Sequence, residues 1–373
     1  MIIYILNSSF RTLGVFSGFT SLTYTRRFAD SGEFVLKLPY SQKKFDLLAE
    51  GNILMWEDDG TQAVIIDSVL CDPEKKGELM TVSGKNLRGI LDRRIIWHDV
   101  HFRDIKAERI GHRLVENNMI LGSTLPNDPM AASRIIPGLV LDDQVGWEPT
   151  VTVKTEHENL EEFLNNLTAT TDVGFDIRYD KREKQMVFYA YMGTDYSVEQ
   201  SENPQVIISR DRNKTMAMSY SHSTANHKNT VLINGWTDDN GVTYSDSIQS
   251  GTGLKRREIF VKGSTSQPKA DENEGITLAE ATTRYAEEQR QKGMEQLASH
   301  REAISLDVDL SQSTLRGLKL GDKVTALEKK YNTVVTTHIA EITAFYEKGG
   351  AIYNVVLGDA VPSFYRLYVK TGR

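Results

Sequence analysis

A chain of 373 residues exceeds what one hydrophobic core usually supports, so two or three domains are expected. With 39% hydrophobic and 25% charged residues, its composition is that of a folded protein and excludes a largely disordered one. The 44 basic and 51 acidic residues leave a formal charge of −7, which argues against a general nucleic-acid binder, because displacing counterions from phosphates needs a basic face.

The N-terminus, Met1-Ile2-Ile3-Tyr4-Ile5-Leu6-Asn7, is apolar but too short for a signal peptide, and it lacks leading basic residues. No stretch approaches the roughly 20 apolar residues that cross a bilayer. The expectation is a protein made in the cytoplasm, with no membrane segment. In Glu33-Phe34-Val35-Leu36-Lys37-Leu38, the residues Phe34, Leu36 and Leu38 share one face, the period-two pattern of a strand with one buried side, and Pro39 ends the pairing. Further β-type runs follow at Ile53–Trp56, Val64–Asp67 and Leu79–Val82, with turn sequences Asp58-Asp59-Gly60 and Glu74-Lys75-Lys76-Gly77 between them. Short strands so closely spaced predict a small barrel or sandwich over residues 1–100, plugged at one end by a short helix from Asn86 to Arg94. The single cysteine, Cys71, excludes an intramolecular disulfide framework and a cysteine-based zinc knuckle, and it reads as a small, partly buried residue.

The pattern changes near residue 100. A helix is predicted from Ala107 to Asn118, then a Pro/Asn/Asp/Gly-rich loop from Gly122 to Gly146. Leu160, Phe163, Leu164 and Leu167 fit the i, i+3, i+4, i+7 stripe of a second helix. Phe175, Ile177 and Tyr179 alternate on one arm of a hairpin, with Met186, Phe188 and Ala190 on the other. Residues 101–215 thus read as an inserted α/β domain. Strands return at Val231–Trp236 and Val242–Tyr244, joined by the tight turn Asp238-Asp239-Asn240-Gly241. Residues 262–275 read as a loop, and Thr277-Leu278-Ala279-Glu280 is a capping box that starts a helix running to about Ala298. Strands follow at Ile304–Leu310, Val334-Val335, Ile339–Tyr346 and Ile352–Leu357, the last two joined by Glu347-Lys348-Gly349-Gly350. Residues 216–373 therefore read as a second β-barrel domain with a helical insertion at about 263–300.

Chemistry-bearing motifs are sparse. The sequence has no G-x-S-x-G elbow, no H-E-x-x-H helix and no Gly-rich dinucleotide fingerprint. Gly84-Lys85-Asn86 has the lysine of a phosphate loop without its upstream glycine or its Ser/Thr. The densest metal-type cluster is His98, Asp99, His101 and Asp104, but its histidines are three apart with no third nearby, so polar surface is the reading. His222 and His227 are weaker still. Asp238–Gly241 lacks the alternate acidic positions of a calcium loop. Glu156, Glu158, Glu161 and Glu162 sit where a helix dipole favours negative charge, which accounts for them without glycoside chemistry. Arg26-Arg27, Arg93-Arg94 and Lys255-Arg256-Arg257 are short basic runs beside strand-like residues, as at solvated strand ends. No catalytic, cofactor-binding or metal residue is assigned.

Pattern carries more than chemistry here. Tyr24-Thr25-Arg26-Arg27-Phe28 with Ser31-Gly32-Glu33-Phe34-Val35-Leu36-Lys37-Leu38-Pro39 resembles the start of the siphophage tail-hub family. So do Gly51 before Ile53-Leu54, Val82–Leu87, and Leu91–Ile96. Near the other end, Leu320-Gly321-Asp322-Lys323-Val324 looks like the strand entry common in tail hubs and the heads of tail-associated lysins, followed by Ile339–Ile342, Tyr346-Glu347 and Tyr353–Gly358. The resemblance spans nearly the full chain. It implies an α+β, β-dominated fold with two tail-tube-like β-barrels, an inserted α/β domain and a helical excursion.

It also implies a homotrimer whose six barrels match a hexameric tube, a virion location at the tail tip, and no enzymatic activity. The implied partners are distal tail and tail-tube proteins, a tape measure protein, and tail-tip or receptor-binding proteins. Genomic DNA would pass through the lumen without specific binding, and three chains at −7 carry −21, suited to a conduit that does not grip phosphates. Many relatives continue into a peptidase, lysin or fibre region, whereas this sequence stops at Arg373, just after Tyr365–Tyr368, so wall cleavage or receptor binding is expected on another chain. The alternatives are a contractile-tail or bacteriocin hub, a wall hydrolase with dispersed carboxylates, and a glycan-binding tail-tip protein using aromatics such as Trp147 or Trp236.

Overall fold

The computed structural model describes residues 1–56, 62–74, 77–155, 157–209, 218–270, 275–331, 333–347 and 350–358. The turns expected at Asp58–Gly60, Lys75-Lys76 and Lys348-Gly349, together with Glu156 and Tyr365–Tyr368, lie outside these residues.

The N-terminal strands are β1 (Ile3–Leu6), β2 (Thr12–Phe16), β3 (Ser21–Arg27), β4 (Glu33–Pro39), β5 (Ile53–Trp56), β6 (Ala63–Glu74) and β7 (Gly77–Asn86). Their antiparallel order is β3-β4-β7-β6-β5-β1-β2. Phe34, Leu36 and Leu38 are buried on β4 as the alternation predicts. The apolar run on β5 has a different cause: both of its faces are covered. Leu54 and Trp56 join a core with Ile3, Leu36 and Val82, while Ile53 and Met55 face a second core. Beyond Asp67, β6 has outrun β5, which pairs with it only from Ala63 to Ile65. That end of β6 is therefore uncovered, Leu70 is 60% exposed, and Cys71 is exposed rather than partly buried.

The second core is the larger one. It gathers Leu87, Ile90 and Leu91 of a 3₁₀ helix (Leu87–Arg93) with the helices Ala107–Val115 and Leu160–Thr171. Strands β8 (Val100–Lys106), β9 (Leu139–Leu141), β10 (Thr150–Thr155), β11 (Gly174–Asp180) and β12 (Gln185–Tyr191) complete it. Because it contains Leu6 and Ile65 as well as Phe175 and Phe188, it runs without a break from the N-terminal sheet into the α/β region. The first helix continues past Val115 as a π-helical turn, Glu116–Ile120, and the predicted loop 122–146 contains a helical turn (Ala131–Arg134) and β9. β9 pairs in parallel with β12, a long-range contact that loop composition cannot announce.

The C-terminal part holds β13 (Ile207–Ser209), β14 (Met218–Ser223), β15 (Thr230–Thr237), β16 (Thr243–Gln249), β17 (Glu258–Lys262), β18 (Ala303–Leu310), β19 (Lys323–Glu328), β20 (Thr333–Glu347) and β21 (Gly350–Gly358). The capping box forms as expected: Thr277 Oγ1 accepts from Glu280 N, and Thr277 N donates to Glu280. The helix it opens, Leu278–Ser299, lies on a separate three-stranded sheet, β16-β15-β17. Asp238 Oδ1 accepts from Asn240 N and Val242 N, and Gly241 takes φ +80°, so that segment is a hairpin turn.

One continuous sheet of thirteen strands unites the two ends of the chain. Its main path is β14-β18-β21-β20-β3-β4-β7-β6-β5-β1-β2, with β19 paired to β20 and β13 paired to β19. The fold is β-dominated and mostly antiparallel. Among the described residues the path is open from β14 to β2, and hydrogen bonding closes no barrel. Among the same residues, no helix is long and apolar enough to cross a membrane.

Candidate functional site

β20 is the seam of the molecule. Its first half pairs with β19, from Thr333↔Glu328 to His338↔Lys323, and its second half pairs with β3, from Glu341↔Arg27 to Tyr346↔Leu22. A register shift at Ile339/Glu341 separates the two halves, and there Phe28 N donates to Ala340 O at 2.9 Å. Side chains reinforce the join. Arg27 Nε donates to Glu341 Oε2 at 3.0 Å and its Nη2 to Glu33 Oε1 at 2.6 Å, while the Thr25 and Thr343 hydroxyls are 3.0 Å apart. The Glu341 side chain is only 7% exposed, so the ion pair is largely withdrawn from water. These two carboxylates raise the Arg27 pKa, although burial works against them.

Some of the segments that resemble tail hubs, Tyr24–Phe28, Leu320–Val324 and Ile339–Glu347, meet at this seam. Gly321 has φ +84°, and a Cβ there would lie 2.6 Å from the Phe28 ring, so only glycine fits. Asp322 is buried, and its carboxylate accepts from Thr194 N at 2.8 Å and Lys319 N at 2.7 Å, clamping the end of the α/β region to the start of β19. Phe28 meets Tyr191 edge-on at 5.7 Å. Gly32 N donates to Asn86 Oδ1 and Asn86 N donates to Gly32 O, which ties β4 to the end of β7. At Gly84 an added Cβ would sit 1.9 Å from the Ile65 carbonyl oxygen. Gly84-Lys85-Asn86 is thus a strand-packing device, with Lys85 paired to Asp92 at 3.1 Å.

The remaining polar clusters are also placed. His98 Nε2 lies 2.9 Å from Ser123 Oγ and 3.5 Å from Asp128 Oδ2. Both partners approach the same ring nitrogen, whereas a nucleophile relay needs the acid on the other one, so this trio anchors a loop. The Ser123 hydroxyl, the Met130 amide and His98 hold the Asp128 carboxyl below its ordinary value. His101 leaves that group and pairs with Glu288 of the long helix at 2.6 Å, while Asp99 lies 3.9 Å from His157. Asp104 N donates to the Thr152 hydroxyl oxygen at 3.1 Å. His222 and His227 both face Glu302, at 3.1 and 3.9 Å. Among the described residues, no group of three or more His, Cys, Asp or Glu could hold a metal ion.

Glu161 is buried and accepts from Ser31 N at 3.0 Å, its pKa raised by desolvation, so it stitches helix to sheet and does not line a cleft. The basic runs are tied down: Arg93 to Asp67, Arg94 to the Arg134 carbonyl, Arg256 to Glu258, and Arg257 to the Thr224 carbonyl. Trp147 and Trp236 are half-buried with their indole nitrogens covered, a poor platform for a sugar ring.

Two arrangements were invisible in the sequence. Glu108, buried at the start of its helix, accepts from three successive amides, Val145, Gly146 and Trp147. A cleft of about 330 Å³ between β8–β10 and the long helix gathers Arg103, Lys154, Lys269 and Arg284, residues up to 181 positions apart that no local motif links.

Comparisons with known proteins agree with this geometry. No curated protein sequence matches the chain. Among solved structures, the 43 kDa tail protein of prophage MuSo2 from Shewanella oneidensis has TM-score 0.53 and 14% identity, over 96% of this chain and 98% of that one. A tail protein from Neisseria meningitidis MC58 has TM-score 0.53 and 12% identity, over 96% of each chain. Prophage tail protein gp18 from Listeria monocytogenes EGD-e has TM-score 0.54 and 12% identity, over 100% of this chain and 98% of that one. At such identities the likeness establishes the fold, one that these tail proteins share. The family described as Siphovirus ReqiPepy6 Gp37-like protein matches residues 2–359, and the chain belongs to that family.

Proposed function

We propose that this chain is a non-enzymatic structural protein of a phage tail, acting as the hub that joins the tail tube to the tail tip or baseplate. The observation that carries this reading is the seam. Segments resembling tail hubs from the two ends of the chain, with Arg27 and Glu341 standing 314 positions apart, meet in one thirteen-strand sheet and are spent on packing, hydrogen bonds and turns. The shared fold with three solved tail proteins supports it. In this reading residues 1–100, 101–215 and 216–373 work as three units, with a helical insertion at about 263–300. The strands on either side of the seam would each complete a tube-like barrel within a homotrimeric ring. Tail-tube, tape measure and tail-tip proteins would be the neighbours, in the virion, with DNA passing the lumen unbound.

Light scattering of the purified chain tests the ring: a species near three times 42.1 kDa supports it, and a strict monomer at all concentrations counts against it. A zymogram on cell walls tests the other half, since lysis abolished by a single Glu or Asp substitution would replace this reading with a hydrolase.

A further inference from the structure

Three arginines line a second cleft, where the end of the 3₁₀ helix Leu87–Arg93 meets the helical turn Ala131–Arg134. The cleft holds about 310 Å³ and is formed by Asp92, Arg93, Arg94, Ile95, Ser133 and Arg134. Local structure brings these residues together. The 3₁₀ helix stops at Arg93, and Arg94 turns extended, its N–H bonded to Leu91 O. Ile95 then bridges to Asn159, and the Arg94 guanidinium crosses to the neighbouring turn, where Nε donates to Arg134 O at 3.2 Å. Arg134 crosses in the other direction, its Nη2 donating to Ile95 O at 3.0 Å.

These bonds fix the two guanidiniums without neutralising them. Arg93 is answered by Asp67 at 2.9 Å, and Asp92 by Lys85 at 3.1 Å. Arg94 has no such partner among the described residues: its second bond goes to Arg93 O at 2.9 Å, so both of its acceptors are neutral carbonyls. Burial and the adjacent Arg93 pull its pKa down, and no carboxylate opposes them. Arg134 is 8% exposed and bonds to the Gly122 and Ile95 carbonyls and to Asn118 Oδ1, with its guanidinium 4.4 Å from the Trp97 ring centre. Burial and Arg94 lower its pKa as well, and Asp128 alone works the other way. A guanidinium offers five N–H groups. Arg94 has spent two of them and Arg134 three, which leaves three and two for an external acceptor. Adjacent cations partly withdrawn from water are costly, and an anion shared between them offsets that cost.

We propose that this cleft binds a phosphate-type oxyanion, supplied as free phosphate or as a phosphate monoester. Guanidiniums already held by backbone carbonyls present pre-organised, charge-assisted donors to such a group. The volume of about 310 Å³ falls at the small end of ligand pockets, with room for more than a bare ion. Ile95, 38% exposed, gives the cleft an apolar wall for the organic part of an ester. Asp92 is the one lining carboxylate, and its bonds from Lys85 and Asn159 reduce its repulsion of a bound anion. This inference does not rest on the tail-hub reading.

Isothermal titration of the full chain with inorganic phosphate, phenyl phosphate and phenol, at fixed ionic strength, tests it. Saturable one-to-one binding of at least one phosphate, and none of phenol, is expected; whichever phosphate binds tighter identifies the source. Arg94→Gln should weaken binding about tenfold, and Arg94→Lys less, since lysine keeps the charge and loses the fork. Asp92→Asn, at an exposed position, should tighten binding severalfold, and Lys43→Gln, on an exposed surface elsewhere, should change nothing. Urea unfolding of each variant verifies that it folds. The proposal is overturned by absence of saturable binding up to about 10 mM, or by phenol binding as tightly as the phosphates. Unchanged affinity in folded Arg94→Gln or in folded Asp92→Asn overturns it equally.

Discussion

Replacing Asp322 by alanine removes the acceptor for two amides, Thr194 N and Lys319 N, at a position that is 3% exposed. Each is a charge-assisted bond, and a buried amide left unpaired costs roughly 1–3 kcal/mol. Water entering the gap recovers part of that, so a loss of about 3–4 kcal/mol is expected for Asp322→Ala. Asp322→Asn keeps one carbonyl oxygen but turns an N–H₂ toward the other amide, so about half the loss should remain, plus a repulsive contact. Urea unfolding measures the total. Hydrogen exchange on peptides covering residues 192–197 and 318–324 locates it, and a tenfold faster exchange corresponds to about 1.4 kcal/mol of local opening. If Asp322→Ala costs under about 1 kcal/mol and those peptides exchange as before, the clamp is not what holds the α/β region to β19.

Glu295 on the long helix has its pKa raised to about 7, chiefly by burial, with Glu158 adding repulsion and Gln291 and Lys292 opposing it. A raised carboxyl pKa means that the folded state holds the proton more tightly than the unfolded chain. Its contribution is therefore fully present below the ordinary pKa of 4.5 and is lost as pH rises through about 7. Stability measured from pH 5 to pH 8 should fall by roughly 2 kcal/mol, allowing for solvent screening, and Glu295→Gln should flatten that slope; an identical slope in the variant refutes it. Gly84→Ala forces a methyl into the Ile65 carbonyl, so the chain should be insoluble or destabilised by more than about 3 kcal/mol in denaturant unfolding. Arg27→Met takes an ion-pair partner from the largely buried Glu341 carboxylate and should cost about 1–3 kcal/mol, with exchange rising on both β3 and β20.

Local pattern was enough wherever neighbours in sequence make the structure. The alternation at Phe34, Leu36 and Leu38, the stripe at Leu160–Leu167, the Thr277–Glu280 box and the Asp238–Gly241 turn all depend on side chains a few positions apart, and all form as read. The limits appear where burial is decided at long range. β5 is apolar because a second core covers its other face, Cys71 is exposed because β5 stops short of it, and β9 sits in what reads as loop because β12 offers it an edge. The seam was legible only as a set of resembling segments. The sequence contains Phe28 and Gly321 but not their contact, nor the two amides that give Asp322 its purpose. By itself the sequence determined the types of its strongly periodic elements, the Thr277 cap, the Asp238–Gly241 turn and the absence of familiar catalytic motifs, since these follow from backbone preference and periodicity. Only the tertiary structure decided that both chain ends share one sheet through β20 and that four scattered cations line one cleft, because strand pairing and charge clustering join residues whose separation in sequence carries no signal.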